Sequence, residues 1–461
     1  MLHPDIFTLA TPPETDLHVD TLIVGAGAGG LVAALAAREA GREPLVVERD
    51  AAPAGSTALS AGLIPAAGTR FQRAAGIADE PALFAADIQR KAHGENDPAL
   101  VAALAEGAGP LVEWLADRHG LPFECVTDFD YPGHSRRRMH GLPTRSGREL
   151  VDRLRAACEG EGIDIVCERR AVRLLVDRDG RVQAVEVARP DGGIERIGCD
   201  RLILACNGFG GNPALVRAHV PEAADALYFG HPGNQGEALV WGQALGARLR
   251  HTGAWQGHGN VAHPHGILIT WATIMEGGCQ VNREGRRFWN EAQGYSEAAR
   301  AVLAQPDGIA FAIFDARIAA IAAQFADFRE AQAQGAVREA DDVATLARML
   351  GLPEEALART LHAFEACKAG TARDPFGRAL DGVAPLVPPY RAVRVTGALF
   401  HTQGGLETDG SARVRRADGG LLPNLFAVGG AACGVSGSGA SGYLSGNGLL
   451  AATVLGRAAG A

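Results

Sequence analysis

Two short apolar runs near the front of the chain, Val19 to Val24 and Pro44 to Val47, each stop abruptly at polar or glycine-rich residues. Short, mostly apolar runs bounded by turn residues read as buried strands of a parallel sheet. An Ala- and Leu-rich helical stretch over 31–40 lies between them, so 19–50 reads as a βαβ unit. Apolar spacing of a helical kind (Leu83, Ile88; Leu100, Leu104, Leu111, Leu115) predicts helices within 80–120. From 165 to 203 the pattern changes to strand-like alternation, punctuated by Asp179-Gly180 and Asp191-Gly192-Gly193. Residues 201–208 and 424–430 each read as a buried strand running into a glycine turn, and a last helix is predicted over 448–459. Residues 1–18 are a polar lead-in with Pro12-Pro13.

The stretch 251–390 has another texture. Ala-rich helices are predicted at 298–303, 309–328, 341–350 and 354–367, followed by prolines at 385, 388 and 389. The simplest account is an α/β nucleotide-binding domain built from 1–250 and 391–461, interrupted by a smaller inserted domain over 251–390.

Composition narrows the class. With 461 residues, two or three domains are expected. An apolar content of 47% and a net charge of −9 fit a globular protein and argue against a nucleic-acid partner. No apolar stretch suggests a membrane span, and no basic region followed by an apolar run suggests a signal peptide. The eight cysteines show no C-x-x-C pairing and read as buried small hydrophobes in a reducing, cytoplasmic setting. His258, His263 and His265 fit no common zinc spacing, so no metal is expected; they are assigned to a loop at a domain junction. The run Arg136-Arg137-Arg138 reads as a solvated face, with attraction of an anionic substrate as the functional alternative.

The chemistry starts at Gly25-Ala26-Gly27-Ala28-Gly29-Gly30, a G-x-G-x-x-G placed between the first strand and the first helix. Gly25 permits a tight turn, Gly27 lets backbone approach a pyrophosphate, and Gly30 lets helix and strand pack closely; the helix N-terminus offers N–H groups to phosphate. Glu48, ending the second strand, stands where a carboxylate holds a ribose hydroxyl pair. NAD(P) and FAD both use such a unit. Glycine-rich turns recur at 55–62, 208–211 and 429–448, which a large ligand spanning the domain explains best. Gly446-Asn447-Gly448, at the head of the last helix, can present N–H groups to a flavin N1/O2 edge. FAD is therefore favoured.

Taken together, the blocks VGAGAGG, GSTALSAG, ILACNGFGGN, GNQGEAL, VNREGRRFWNE, HTQGGLETD, NLFAVGG and SGYLSGNGLLAATVLGRAAG resemble those of flavoproteins related to soluble fumarate reductases and 3-ketosteroid dehydrogenases. The resemblance implies a Rossmann-like FAD-binding domain interrupted by a smaller α+β capping domain. It implies ADP contacts at Gly25, Ala26, Gly27, Gly29, Gly30, Glu48 and Arg49. It implies ribityl and flavin contacts at Gly55, Ser56, Thr57, Ser60, Ala61 and Gly62, a backbone contact to adenine at Val172, and further contacts at Gly208, Gly430, Gly448 and Leu449. Two positions depart from the family pattern: Gly430 stands where Glu or Asn is frequent, and Asn207 where Thr or Gly is usual.

Two further departures bear on the reaction. Tyr295 and Tyr443 stand where fumarate reductases carry a proton-donating and a carboxylate-clamping arginine. A phenol supplies neither the charge nor the fork of a guanidinium. Both positions are tyrosine in the ketosteroid dehydrogenases. By that resemblance Tyr295 takes a proton from the carbon beside a ketone, while Tyr443 and the N–H of Asn447 hold the ketone oxygen. The structural alternative is a pair of core tyrosines. His401 matches a substrate-carboxylate ligand of fumarate reductases, which suggests an oxo-acid such as a 4-oxocyclohexanecarboxylate; a histidine bonded within its domain is the alternative. Tyr131 and His134 are placed as pocket-lining residues or helpers of Tyr295. The expected activity is α,β-dehydrogenation of a ketone, with an acceptor left open among oxygen, quinone and protein. The alternatives are reduction of an activated C=C bond in an enone, or a non-catalytic flavin sensor or electron-transfer protein.

Overall fold

The computed structural model describes residues 5–128 and 130–461; the first four residues of the lead-in and Phe129 lie outside them. The chain divides into two compact units. The first comprises the chain to Pro221, Gly230–Trp255 and His401–Ala461; the second comprises Glu222–Phe229 and Gln256–Phe400. The breaks fall at 255/256 and 400/401 rather than at 250 and 390, because the strands Trp255–Ala262 and Tyr390–Thr402 belong mostly to the sheet of the second unit. Glu222–Phe229 joins that unit because Leu227 and Tyr228 pair in parallel with Ala398 and Leu399.

In the first unit, five strands run parallel in the order Leu421–Ala427, Ile194–Leu204, Leu17–Val24, Pro44–Val47 and Asp164–Val166. Residues Leu22, Ile23, Leu45, Val46, Leu202 and Ile203 are buried, as strands covered on both faces require. The strand Ile194–Leu204 does double duty: residues 202–204 pair with Leu425–Ala427, whereas 194–198 pair antiparallel with the strand Val182–Ala188. That strand forms a meander with Arg170–Val176. The lead-in is not featureless, since Asp5–Thr8 adds a parallel strand beside Arg173–Val176. Against this sheet pack the helices Ala28–Glu39, Gly147–Gly160 and Asn447–Gly460.

The helix Pro98–His119 is, by length and composition, long and apolar enough to cross a membrane, which the sequence reading had not anticipated. Its apolar residues Leu100, Val101, Leu104, Leu111 and Leu115 are buried in the core of the first unit. The arginine run is also not uniformly solvated. Arg138 is fully buried between Asp79 (2.9 Å) and Asp87 (2.5 Å), and its guanidinium lies over the Phe84 ring at 4.7 Å. The Arg90 and Ser135 side chains also bond Asp87. The Asp87 carboxyl sits at about 2: burial raises it, but the bonds from Ser135, Arg138 and Arg90 outweigh burial.

The second unit holds a seven-stranded mixed sheet with helices around it. The predicted helix 309–328 splits. Ile309–Asp315 is a strand, buried along its whole length, and the helices Ala316–Ala322 and Ala326–Ala333 follow. Its Ile- and Phe-rich run suits a central strand, while alanines in the same window favoured helix by composition alone. Asp315 closes the strand and caps the helix by accepting the Ile318 N–H at 2.9 Å. Of the eight cysteines, five are buried and Cys125, Cys167 and Cys206 are half-buried.

Replacing Arg138 with Leu removes the buried guanidinium that two buried carboxylates share. We expect a loss of about 3–5 kcal/mol in unfolding free energy by urea titration; a loss below about 1 kcal/mol would contradict the assigned pairing.

Candidate functional site

The nucleotide cradle forms at the ends of the parallel strands. Gly25 has a φ of +109°, and a Cβ added there would stand 2.6 Å from the Ala205 carbonyl oxygen; one added at Gly30 would stand 1.9 Å from the Gly25 carbonyl oxygen. Neither position accepts a side chain, so the helix Ala28–Glu39 begins directly against the strand. Its N-cap, Gly27, makes no side-chain cap, and Thr57 Oγ1 accepts the Ala28 N–H from across the cradle at 3.1 Å. Glu48 is buried; its Oε2 accepts the Ala26 N–H at 2.8 Å and its Oε1 the Asp50 N–H at 3.0 Å. The carboxylate is thus fixed beside the glycine turn, as a ribose contact requires. Arg49 donates to the Gly233 carbonyl at 2.7 Å. Val172 sits where the pairing of Arg170–Val176 with its neighbour shifts register, so its backbone stands out of that ladder.

The Gly55–Gly62 segment forms a short helix, Gly55–Ala58, followed by a turn. Ser60 Oγ donates to the Thr57 carbonyl and accepts the Gly62 N–H. Ser56 Oγ receives two amides, Asn207 Nδ2 at 3.0 Å and Asn234 Nδ2 at 2.9 Å. The departures at 207 and 430 are a matched pair. Asn207 adopts a φ of +67°, its Oδ1 accepts the Gly208 N–H at 2.8 Å, and a Cβ at Gly430 would stand 2.0 Å from that Oδ1. The Asn207 side chain fills the room a residue at 430 would need. Gly208 is equally enclosed, with a would-be Cβ 2.0 Å from Thr402 Oγ1.

At the N-terminus of the last helix the first unit carries the polar groups that the sequence singles out. Gly446, in the left-handed region at φ +86°, turns the chain into Asn447–Gly460. Tyr443 is buried; burial pushes its phenol up to about 12, against the pull of the Gly448 and Gly446 N–H groups on its oxygen. The N–H of Asn447, the expected oxyanion donor, instead donates to the Leu444 carbonyl at 3.0 Å. The His401 ring stands edge-on to Tyr443, with centroids 5.8 Å apart, and burial lowers its imidazole to about 4. A Cβ at Gly448 would lie 3.0 Å from His401 Nε2 and 3.8 Å from Tyr443 Oη. Both polar atoms therefore border the gap that this glycine leaves. Leu449 follows in the first turn of the helix.

Tyr131 packs on Leu63, Val126 and Met139, and burial pushes its phenol up to about 12. His134 lies 3.0 Å from the Ser445 carbonyl through Nε2 and 3.4 Å from Arg138 through Nδ1. The guanidinium can only donate, so Nδ1 accepts and Nε2–H donates to Ser445. His134 thereby ties the buried Arg138 cluster to the Tyr443 turn.

The second unit carries Tyr295. The block before it is structural. Asn282 Oδ1 accepts the Glu284 and Arg286 N–H groups, and Gly285 takes φ +70°. Arg287 grips Glu291 at 2.9 and 2.6 Å and also bonds Asp374, while Arg378 reaches Glu291 at 3.3 Å. Burial of Glu291 within this network fixes the one-turn helix Glu291–Gln293, and Gly294 then caps the helix Tyr295–Leu303. Tyr295 is its first residue. Its ring stacks on His258 at 5.0 Å, His258 on Phe400 at 5.4 Å, and Phe400 on Phe229 at 4.9 Å; Trp271 meets His258 edge-on. His258 is thus not in a loop but in the strand Trp255–Ala262, where its Nδ1 accepts the Asn260 N–H at 3.2 Å and burial lowers it to about 3. The sequence reading missed it. Its signal was the period-two alternation of Gln256, His258 and Asn260 with Gly257 and Gly259.

Residues 20–449 match the family described as FAD binding domain. The chain belongs to that family. The residues present suit this cofactor: a side-chain-free turn, a buried carboxylate at the ribose position and two helix N-termini. Among the similar proteins is the probable fumarate reductase Ifc3 of Shewanella frigidimarina (strain NCIMB 400), 30% identical, covering 98% of this chain and 75% of that protein. Another is the 4-oxocyclohexanecarboxylate 2-dehydrogenase of Sinomonas cyclohexanicum, 28% identical, covering 98% and 95%. Among solved structures, the 3-ketosteroid-delta4-(5alpha)-dehydrogenase of Rhodococcus jostii RHA1, in complex with 4-androstene-3,17-dione, aligns with a TM-score of 0.80 and 26% identity over 99% of both chains.

Two measurements test this flavoprotein site. Gly430→Asn should lower FAD retention and thermal midpoint, and Asn207→Gly in the same chain should restore much of both. Equal losses in single and double variants would separate the two positions. His140 and His258 are buried with folded-state values of about 4 and about 3, below the unfolded value near 6.5. Above pH 6.5 both states are neutral. Below it only the unfolded chain gains these protons, so each group costs about 1.4 kcal/mol per pH unit until its folded value is reached. The urea midpoint should fall between pH 6.5 and 4, and fall less in His258→Phe; a flat midpoint would contradict the assigned neutral state.

Proposed function

We propose that this FAD-dependent oxidoreductase introduces a double bond α,β to the carbonyl of a cyclic ketone. The observation that carries this reading is the donor set of the first unit: a phenol kept protonated by burial, Tyr443, and the ring edge of His401 bordering one glycine-made gap. As a C–H bond beside a ketone breaks, charge develops on the carbonyl oxygen, and preplaced neutral donors stabilise it at the moment it forms. The Gly448 and Gly446 N–H groups load the Tyr443 oxygen, which makes its O–H a stronger donor. In this reading the Gly448 N–H replaces that of Asn447 as the backbone group beside the phenol.

Tyr295, carried by the second unit, takes the proton from the α-carbon. Its place as first residue of a helix favours transient negative charge on the phenol, and the stacked His258 limits the ring's freedom. Bound FAD supplies the acceptor for the hydride that leaves the β-carbon. The 4-oxocyclohexanecarboxylate and 3-ketosteroid dehydrogenases among the relatives lend support by their named substrates. A second reading, reduction of an activated C=C bond, uses the same groups in reverse; His401, the ligand position shared with fumarate reductases, favours it.

Anaerobic mixing distinguishes the two. A saturated cyclic ketone should bleach the oxidised flavin, whereas an enone alone should reoxidise reduced flavin if the second reading holds. Tyr295→Phe should abolish bleaching with FAD still bound, and Tyr443→Phe should slow it about 10²–10³-fold. Unchanged bleaching rates in both variants would overturn the mechanism.

A further inference from the structure

The Tyr443 turn is packed on three successive residues by segments that the proposed reaction does not use. A Cβ added at Gly133 would stand 2.8 Å from Leu444 Cδ1, and one at Gly446 2.7 Å from Pro65 Cδ. Between these contacts, His134 Nε2 lies 3.0 Å from the Ser445 carbonyl oxygen. That bond is the inner end of a line that starts at Arg138. Asp79 clamps the Arg138 guanidinium through Nε at 2.9 Å and Nη2 at 3.0 Å, and Asp87 takes Nη1 at 2.5 Å. Nη1 has a second hydrogen for His134 Nδ1, 3.4 Å away. Each link runs one way. A guanidinium has no acceptor and a carbonyl oxygen no hydrogen, so Nδ1 accepts from Arg138 and Nε2–H donates to Ser445. Burial and the neighbouring guanidinium hold the imidazole at about 4, so the ring is neutral at pH 7 and carries one hydrogen, on Nε2. The Ser445 carbonyl and the Gly446 N–H are the two ends of one planar peptide. That N–H is one of the two backbone donors on the Tyr443 oxygen.

We propose that His134 is a positioning residue for the Tyr443 phenol: its hydrogen bond to the Ser445 carbonyl fixes the plane of the Ser445–Gly446 peptide and strengthens the Gly446 N–H as a donor to the phenol oxygen. Its effect on turnover rests on the reading above that the Tyr443 O–H meets the substrate carbonyl. Hydrogen bonds in series polarise one another, so a peptide whose oxygen accepts a bond presents a more positive N–H. That N–H draws electron density from the phenol oxygen. The phenol hydrogen becomes a better donor to charge developing on a ketone oxygen. The relay does this without placing a cation at the turn, because the Arg138 charge stays paired with Asp79 and Asp87. Without the His134 donor the peptide loses both the restraint and the polarisation.

Two variants separate the donor from the bulk of the ring. His134→Leu removes the N–H, and His134→Gln replaces it with an amide N–H at a similar reach. In the flavin-loaded wild type at pH 7, long-range ¹⁵N–¹H correlation spectra should show His134 with a protonated Nε2 and an unprotonated Nδ1, the ring being assigned from His134→Gln. With [¹³Cζ]tyrosine incorporated, the Tyr443 signal, assigned from Tyr443→Phe, should move in His134→Leu and return toward its wild-type position in His134→Gln. With a saturated cyclic ketone, the limiting rate of flavin bleaching should fall about 10-fold in His134→Leu, the kinetic equivalent of one hydrogen bond. The half-saturating concentration should stay unchanged, and His134→Gln should recover most of the lost rate. A wild-type His134 with its hydrogen on Nδ1 would overturn the proposal. So would a Tyr443 signal that His134→Leu leaves in place, or one that His134→Gln does not restore. The wild-type spectrum needs no variant to fold. A Tyr443 signal that follows the donor in a protein no ketone can bleach counts against the reaction assigned above and leaves the role of His134 standing.

Discussion

The first unit depends on the backbone-to-backbone contact of its first and last helices. A Cβ at Gly456 would stand 2.5 Å from the Gly29 carbonyl oxygen, one at Gly460 2.3 Å from that of Ala33, and one at Gly29 3.0 Å from that of Ala452. Small residues alone permit this approach, so Ala28–Glu39 and Asn447–Gly460 lie against one another along most of their length. One helix begins at the glycine turn beside Glu48 and the other at the Tyr443 turn. Their contact therefore fixes the nucleotide cradle and the phenol relative to each other, although more than four hundred residues of chain separate them.

A second constraint is charge. The polar groups at the Tyr443 turn are held neutral by burial, with Tyr443 pushed up and His401 and His134 pushed down. The Arg138, Asp79 and Asp87 cluster is closed to solvent and is tied to the Tyr443 turn through His134 and the Ser445 carbonyl. Neutral donors backed by a buried ionic scaffold suit a reaction in which charge appears on the substrate and must be met without reorganisation.

The second unit uses the same economy. Its charged block, Arg287, Glu291, Asp374 and Arg378, is internal and places the start of the Tyr295 helix; the tyrosine itself contacts rings. The N-x-x-G-x-R-F stretch thus shapes a turn and an ion pair that together set where the Tyr295 helix begins.

The sequence by itself determined the βαβ unit, the glycine turn with Glu48, the split of the nucleotide domain between the two ends of the chain and the FAD family. Strand runs, helix spacing and turn glycines are local signals, and local sterics fix them. Tertiary structure alone decided the rest. Ile309–Asp315 became a strand because it is buried on every side, which its alanines hid. His258 left its presumed loop for a buried strand. Asn207 and Gly430 proved to be one feature, because two positions far apart in sequence compete for the same few cubic ångströms. The protonation of Tyr443 and the engagement of the Asn447 N–H both depend on which groups face one another after folding, and no spacing along the chain encodes that.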